Sequence, residues 1–163
     1  MTKGAKIILW SSAGIFAGIY GYRYYNIYRA FTQLQIAFNR LRIDLIQRDS
    51  VRIMIFLNVE NPSETDIYFE KIGLNLYLNN RFAGILVNPY SQIVRKRDTN
   101  IIAFSVDLLY STVGDEVLNI FKNGTDYPIT LSINGKAFFN ALPVPVPDVV
   151  VQNFSIDSVA DLF

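Results

Sequence analysis

Three acidic side chains, Glu60, Glu64 and Asp66, gather around the dipeptide Asn61-Pro62. Carboxylate oxygens are the ligands that a hard cation such as Ca²⁺ prefers in proteins. The three acids lack, however, the alternate-residue spacing of a calcium-binding loop. We therefore interpret this stretch as a solvated polar loop and predict no metal site.

Two other charged groups could also carry chemistry. Asp115 and Glu116 are adjacent, so on a helix they would point apart and could not act as an acid/base pair; stabilisation of a helix N-terminus explains them better. The run Arg95-Lys96-Arg97 could contact phosphate or acidic lipid, although a charged turn is the commoner origin of such a run.

The composition narrows the function further, because the chain of 163 residues contains neither Cys nor His. Disulfides, thiolate chemistry, imidazole bases and most transition-metal sites depend on those two side chains. We therefore predict a protein that is not an enzyme and holds no cofactor. A net charge of +1 gives no electrostatic case for nucleic acid as a partner.

The residues from Ile7 to Tyr22 carry no charge and would form a helix about 24 Å long. Lys3 and Lys6 precede this segment, and a collar of aromatic and basic side chains follows it: Tyr20, Tyr22, Arg23, Tyr24, Tyr25, Tyr28 and Arg29. Such flanks extend a short apolar helix across a bilayer core of roughly 30 Å. We predict a single membrane span, with a cleaved signal peptide and a helix buried in protein as the alternatives.

Gly14 and Gly18 within this segment have the small-xxx-small spacing that lets two membrane helices approach closely. The pair would support a homo-oligomer or a larger protein assembly. Glycine is also common as filler in membrane helices, and that interpretation stays open beside the first.

The rest of the chain shows the two-residue period of β-strands. The first runs are Leu34 to Leu45, with a change of parity near Asn39-Arg40 that predicts a bulge, and Val51 to Val59, which ends at Asn61-Pro62. Further runs cover Ile72 to Leu78, Phe82 to Val87, Ile102 to Leu108, Ile129 to Ile133, and Ala137 to Phe139.

Turn residues and one helical pattern separate these runs. Hairpin turns are predicted at Asn79-Asn80-Arg81 and at Asn134-Gly135, and the residues from Ser111 to Phe121 predict a short amphipathic helix. The Pro-rich stretch Leu142 to Pro147 must lie at a sheet edge or in a crossing connection. We expect an all-β fold: an antiparallel immunoglobulin/fibronectin type III-like sandwich with one short helix, preceded by an N-terminal transmembrane helix.

This order of elements, with Asn61-Pro62 closing an alternating strand and Leu74, Leu76 and Leu78 in the next, resembles the late embryogenesis abundant group 2 proteins, also called the water-stress and hypersensitive-response (WHy) domain family. The resemblance covers residues 34–150. It implies a non-enzymatic fibronectin-type sandwich that is often tethered to a membrane. The lipoprotein Cys that begins many bacterial members is absent here.

We therefore expect three regions: an anchor and collar over residues 1–30, a β-sandwich over residues 31–152, and a tail over residues 153–163. The predicted function is stress-protective binding or shielding by a single-pass membrane protein whose partner is the lipid bilayer. The alternative is a structural subunit of a membrane-bearing assembly, such as a bacteriophage virion or an envelope complex. A folded domain that follows a first anchor is commonly exported, so the sandwich is expected outside the cytoplasm.

Overall fold

The computed structural model describes Gly18 and residues 20–69, 71–88, 90–114, 130–139, 142–152 and 156–157. The strands are β1 (Gln35–Ile46), β2 (Ser50–Asn61), β3 (Ile67–Phe69), β4 (Lys71–Leu78), β5 (Arg81–Asn88), β6 (Gln92–Val94), β7 (Asp98–Leu109), β8 (Thr130–Phe139), β9 (Leu142–Gln152) and β10 (Ile156–Asp157). Helix α1 covers residues 20–33, and α2 is Tyr110–Val113.

Eight strands form one sheet in the order β10, β1, β2, β7, β5, β4, β8, β9, while β3 and β6 form a separate antiparallel pair. All neighbours in the large sheet are antiparallel except β1 and β10, which are parallel. The expected antiparallel β fold is therefore confirmed.

The large sheet consists of two halves that enclose one core. The first half is β10, β1, β2 and β7, and the second is β5, β4, β8 and β9; Val87 of β5 pairs with Ser105 of β7 where they join. Along β2, β7, β4 and β8 buried apolar residues alternate with more exposed ones, and these buried apolar residues belong to one hydrophobic cluster. Leu57 and Phe104 of the first half line the same small apolar cavity as Leu74 of the second. The halves therefore pack face to face.

Helix α1 closes one end of this core. Ala30, Phe31 and Leu34 are buried and Ile27 is partly buried, which is the i, i+3, i+4, i+7 spacing of one helix face. The Phe31 ring packs edge-on against the Phe69 ring, with centroids 5.3 Å apart and planes at 89°. The contacts of α1 with the core thus begin at Ile27, on the anchor side of the predicted boundary between residues 30 and 31.

Several predicted turns are present. A register shift between Phe38 and Arg40 is the predicted bulge. Asn79 and Asn80 both have positive φ, at 47° and 65°, as a two-residue hairpin turn requires. The Pro-rich segment lies in β9, which is an edge strand, one of the two positions expected for it.

The hairpin predicted at Asn134-Gly135 is wrong, because β8 runs through both residues and pairs with β4 along its length. A Cβ added to Gly135 would lie 2.7 Å from the carbonyl oxygen of Gly73. Gly135 is therefore needed for close packing between strands and not for a turn.

The helix predicted from Ser111 to Phe121 is represented by α2, which occupies Tyr110–Val113. The remainder of that prediction, with Asp115 and Glu116, lies outside the described residues. So do Gly14, most of the segment Ile7 to Tyr22, and most of the predicted tail. In the part of the chain that the structure describes, no helix has the length and apolar character needed to cross a bilayer.

Candidate functional site

The end of the sandwich that α1 closes carries most of the residues singled out from the sequence. β1 begins there, β2 ends there at Asn61, and β7 begins there at Asp98. We call this the helix-proximal end. It includes the loop of residues 62–66 between β2 and β3, and the loop of residues 95–97 between β6 and β7.

Asn61 organises this end through its side chain, which is fully buried. Its Nδ2 donates hydrogen bonds to the carbonyl oxygens of Thr65, at 2.9 Å, and of Val94, at 3.1 Å. Its Oδ1 accepts from the Ser63 backbone N–H at 3.1 Å and from the Ser63 hydroxyl at 2.6 Å. The amide thus uses both of its polar ends, and it ties the loop after β2 to strand β6.

The loop that follows Asn61 is formed by two local turns in succession. The contact from Asn61 Oδ1 to the Ser63 N–H is an Asx-turn, and the Thr65 N–H donates in the same manner to the Ser63 Oγ, at 3.2 Å. Pro62, between Asn61 and Ser63, has no backbone N–H, so the hydrogen-bonded pairing of β2 ends at this point of the chain. The Asn61-Pro62 signature therefore has a physical role, which is to end β2 and fold the loop.

A second buried asparagine, Asn88, works in the same way; the sequence Asn88-Pro89 predicts the end of a strand, and β5 ends at Asn88. Its Oδ1 accepts from the Tyr90 N–H at 2.9 Å, and its Nδ2 donates to the Ala103 carbonyl oxygen at 3.0 Å. Both asparagines directly precede a proline. The repeated Asn-Pro dipeptide was the signal that could have identified the pair.

The acidic residues near Asn61 do not converge on a common point. The Glu64 carboxylate forms an ion pair with Arg97, and Asp66 Oδ1 accepts from the Lys96 backbone N–H at 2.8 Å. Among the described residues, no group of three or more acidic side chains could hold a metal ion. Arg95, Lys96 and Arg97 form the turn from β6 into β7, where Arg97 has a φ of 54°.

A polar cleft of about 320 Å³ separates α1 from the loop of residues 62–65. Asn26, Arg29 and Gln33 line its helix side, and Ser63 and Glu64 line the other. These groups offer hydrogen bonds and charge, which suits recognition of a polar surface or ligand.

The exposed surface of α1 is rich in tyrosine. Tyr20, Tyr22, Tyr24, Tyr25 and Tyr28 are between 45% and 70% exposed, and Arg23 and Arg29 are exposed among them. The predicted collar therefore lies mainly on the first turns of α1, ahead of the residues that pack against the core, which are Ile27, Ala30 and Phe31. Gly18 is exposed too, with nothing within 4 Å of an added Cβ, so the Gly14–Gly18 pairing face stays a prediction.

The perturbed titratable groups lie elsewhere, on the outer surface of β2 and β7. Arg52 donates two hydrogen bonds to the Asp107 carboxylate, at 2.7 and 3.0 Å, across the pair of strands. These bonds and the attraction between the charges lower the pKa of Asp107 and raise the pKa of Arg52. Both side chains are exposed, so this is a surface ion pair that joins two strands.

No family model matches the chain, and neither does any curated protein. Several solved structures, however, are similar to it. A protein from Archaeoglobus fulgidus has 12% identity and a TM-score of 0.47, covering 74% of this chain and 91% of that one. AT1g01470 from Arabidopsis thaliana has 15% identity and a TM-score of 0.50, covering 76% and 82%. A candidate late embryogenesis abundant (LEA) protein, At2g46140.1, has 16% identity and a TM-score of 0.40, covering 97% and 92%. The chain therefore shares its fold with AT1g01470.

Asn61 provides a direct test of what holds the helix-proximal end together. Asn61→Ala leaves the carbonyl of Val94 and the N–H of Ser63 without their partner, so we expect a loss of roughly 2 to 4 kcal/mol in the free energy of unfolding. The control is Asn100→Ala, which removes one exposed bond to the Ile93 carbonyl and should cost about 1 kcal/mol or less. Urea denaturation measures both changes.

The variant Asn61→Asp extends this test to the pH dependence of stability. The new carboxyl group would be buried against two carbonyl oxygens, which raises its pKa in the folded state above the unfolded value. The variant should therefore be least destabilised at acidic pH and lose stability as the carboxyl group ionises. Equal stability of Asn61→Ala and the wild type would contradict the role assigned to this side chain.

Proposed function

We propose that this chain is a membrane-tethered β-sandwich that protects by binding or shielding, in the manner of the late embryogenesis abundant group 2 proteins. The observation that carries this proposal is the row of exposed tyrosines and arginines along the sequence of α1, a helix whose last turns, from Ile27 onward, pack against the core. Tyrosine and basic side chains are enriched where a helix leaves a bilayer. The uncharged residues from Ile7 to Tyr22 lead directly into this row.

Two features of the sequence support this proposal: one concerns the family and the other concerns the proposed absence of catalysis. Asn61-Pro62 and the alternating strands on either side of it carry the resemblance to the group 2 proteins, over residues 34–150. The chain has no Cys and no His, so the thiol and imidazole groups that many enzymes use as nucleophile and base are missing from it. We propose a fibronectin type III-like arrangement for the sandwich, and the face-to-face packing of the two halves of the sheet supports it.

Alkaline extraction tests the tether. The full chain should stay in the membrane pellet, because an apolar helix held in the bilayer is not released by breaking ionic contacts. A variant lacking residues 1–25 should appear in the supernatant with its β fold intact, because it keeps Ile27, Ala30 and Phe31 in the core. Phe31→Ala in the shortened variant is the matched control and should lower its melting temperature.

Two results of this extraction would exclude the tether. One is recovery of the full chain in the supernatant. The other is a mature N-terminus that begins after Gly18, which would identify the apolar segment as a cleaved signal peptide.

Thiol labelling tests the proposed orientation, with the sandwich outside the cytoplasm. The natural chain has no Cys, so Thr2→Cys and Ser111→Cys each introduce a single reporter. Ser111 is exposed on α2, at the end of the sandwich remote from α1. It is a better position than the exposed turn residue Asn80, whose positive φ would strain a cysteine. A membrane-impermeant maleimide should label Ser111→Cys in intact cells and leave Thr2→Cys unlabelled. The reverse pattern would place the sandwich in the cytoplasm.

A drying experiment tests protection itself. Vesicles of phosphatidylcholine and phosphatidylglycerol, loaded with a fluorescent dye, are dried and rehydrated with the full chain inserted. They should retain more dye than vesicles mixed with the same amount of the variant lacking residues 1–25, because shielding requires the domain at the membrane. Equal dye loss with and without the full chain would contradict the proposal. A fixed number of copies in a purified particle would instead identify a structural subunit.

A further inference from the structure

A groove of about 500 Å³ crosses the outer surface of β4, β8 and β9, on the opposite side of these strands from the core. Its lining includes Gly73 and Asn75 of β4, Asn134, Lys136 and Phe138 of β8, and Asp148 of β9. A register shift between β8 and β9 lies opposite Asn134 and changes the local shape of the sheet. The volume is within the range of small-molecule sites.

Gly73 in this groove has no evident role in the fold. A Cβ added at Gly73 would meet no atom within 4 Å, and its φ is outside the left-handed region. In the middle of a strand, glycine costs roughly 0.5 to 1 kcal/mol relative to residues with a side chain. Gly135 differs, because a Cβ there would collide with the backbone of β4. A glycine that packing does not require often marks a place where a ligand approaches the backbone closely.

The polar groups of the groove are poorly satisfied by one another. The Asn75 Nδ2 and the Asn134 Oδ1 are 3.5 Å apart, at the long limit of a hydrogen bond. Lys136 and Asp148 bring one charge of each sign, and neither belongs to an ion pair of the described residues. Phe138 adds an apolar surface, with 39% of the residue exposed.

We propose that this groove binds a neutral carbohydrate. Sugar hydroxyls both donate and accept, so they can satisfy the two amides, the ammonium of Lys136 and the carboxylate of Asp148 together. The C–H face of a sugar ring can pack on Phe138. An anionic ligand would meet Asp148, and a hydrocarbon chain would remove water from the two amides without replacing its hydrogen bonds. This site is independent of the membrane tether.

Titration by NMR tests the proposal with the full chain in dodecylphosphocholine, because a detergent with a sugar headgroup would compete. Maltotriose and cellotriose are added to the ¹⁵N-labelled protein, and the side-chain amide signals of Asn75 and Asn134 are followed. We expect saturable shifts with at least one trisaccharide. Gly73→Leu fills the groove and should weaken the apparent affinity about tenfold or more. Ser132→Leu, on the same face outside the groove, should leave it unchanged.

The melting temperature of Gly73→Leu should equal or exceed that of the wild type, since the new side chain has space. Should this variant fail to fold, Lys136→Ala and Phe138→Ala replace exposed side chains and should weaken binding in its place. The proposal is overturned by the absence of shifts with both trisaccharides, or by full affinity in the groove variants. Concentration-dependent shifts without sugar would overturn it too, since they would indicate an interface between copies.

Discussion

Burial of one apolar core between two halves of a single sheet is the constraint on which the rest of the structure depends. The halves are hydrogen-bonded where Val87 of β5 pairs with Ser105 of β7. Their inner faces are therefore held together mainly by the hydrophobic effect, through the apolar side chains buried between them. The core would be open at one end without α1, whose Phe31 packs against Phe69. The Asn61 side chain is buried at the same end, where it donates a hydrogen bond to the Val94 carbonyl oxygen of β6.

The strands could be predicted from the sequence because one face of each is buried. Val51 to Val59 alternates clearly in the sequence and is buried at every second residue. The error at Asn134-Gly135 has a physical cause. The dipeptide has the composition of a hairpin turn, yet what selects Gly135 is the approach of the β4 backbone, which no local pattern reveals. The parallel pairing of β10 with β1 is likewise a long-range contact without a local signal.

The candidate site was predicted only in part. Asn61-Pro62 could be identified as the end of a strand, but the hydrogen bond from Asn61 to Val94 joins residues 33 positions apart and depends on the folded chain. The side-chain hydrogen bonds of Asn88 were likewise not predicted, although the same dipeptide marks the end of its strand. The outer groove could not be predicted, since Gly73 and Asn134 become neighbours only when β4 pairs with β8.

The proline-rich composition of β9 also affects how copies of this protein meet. β9 is an outermost strand, and Pro143 and Pro145 deprive its backbone of two N–H groups. An incoming strand from a neighbouring molecule would therefore find an interrupted hydrogen-bonding ladder. Copies of this domain at high concentration are therefore less able to join edge to edge into continuous sheets.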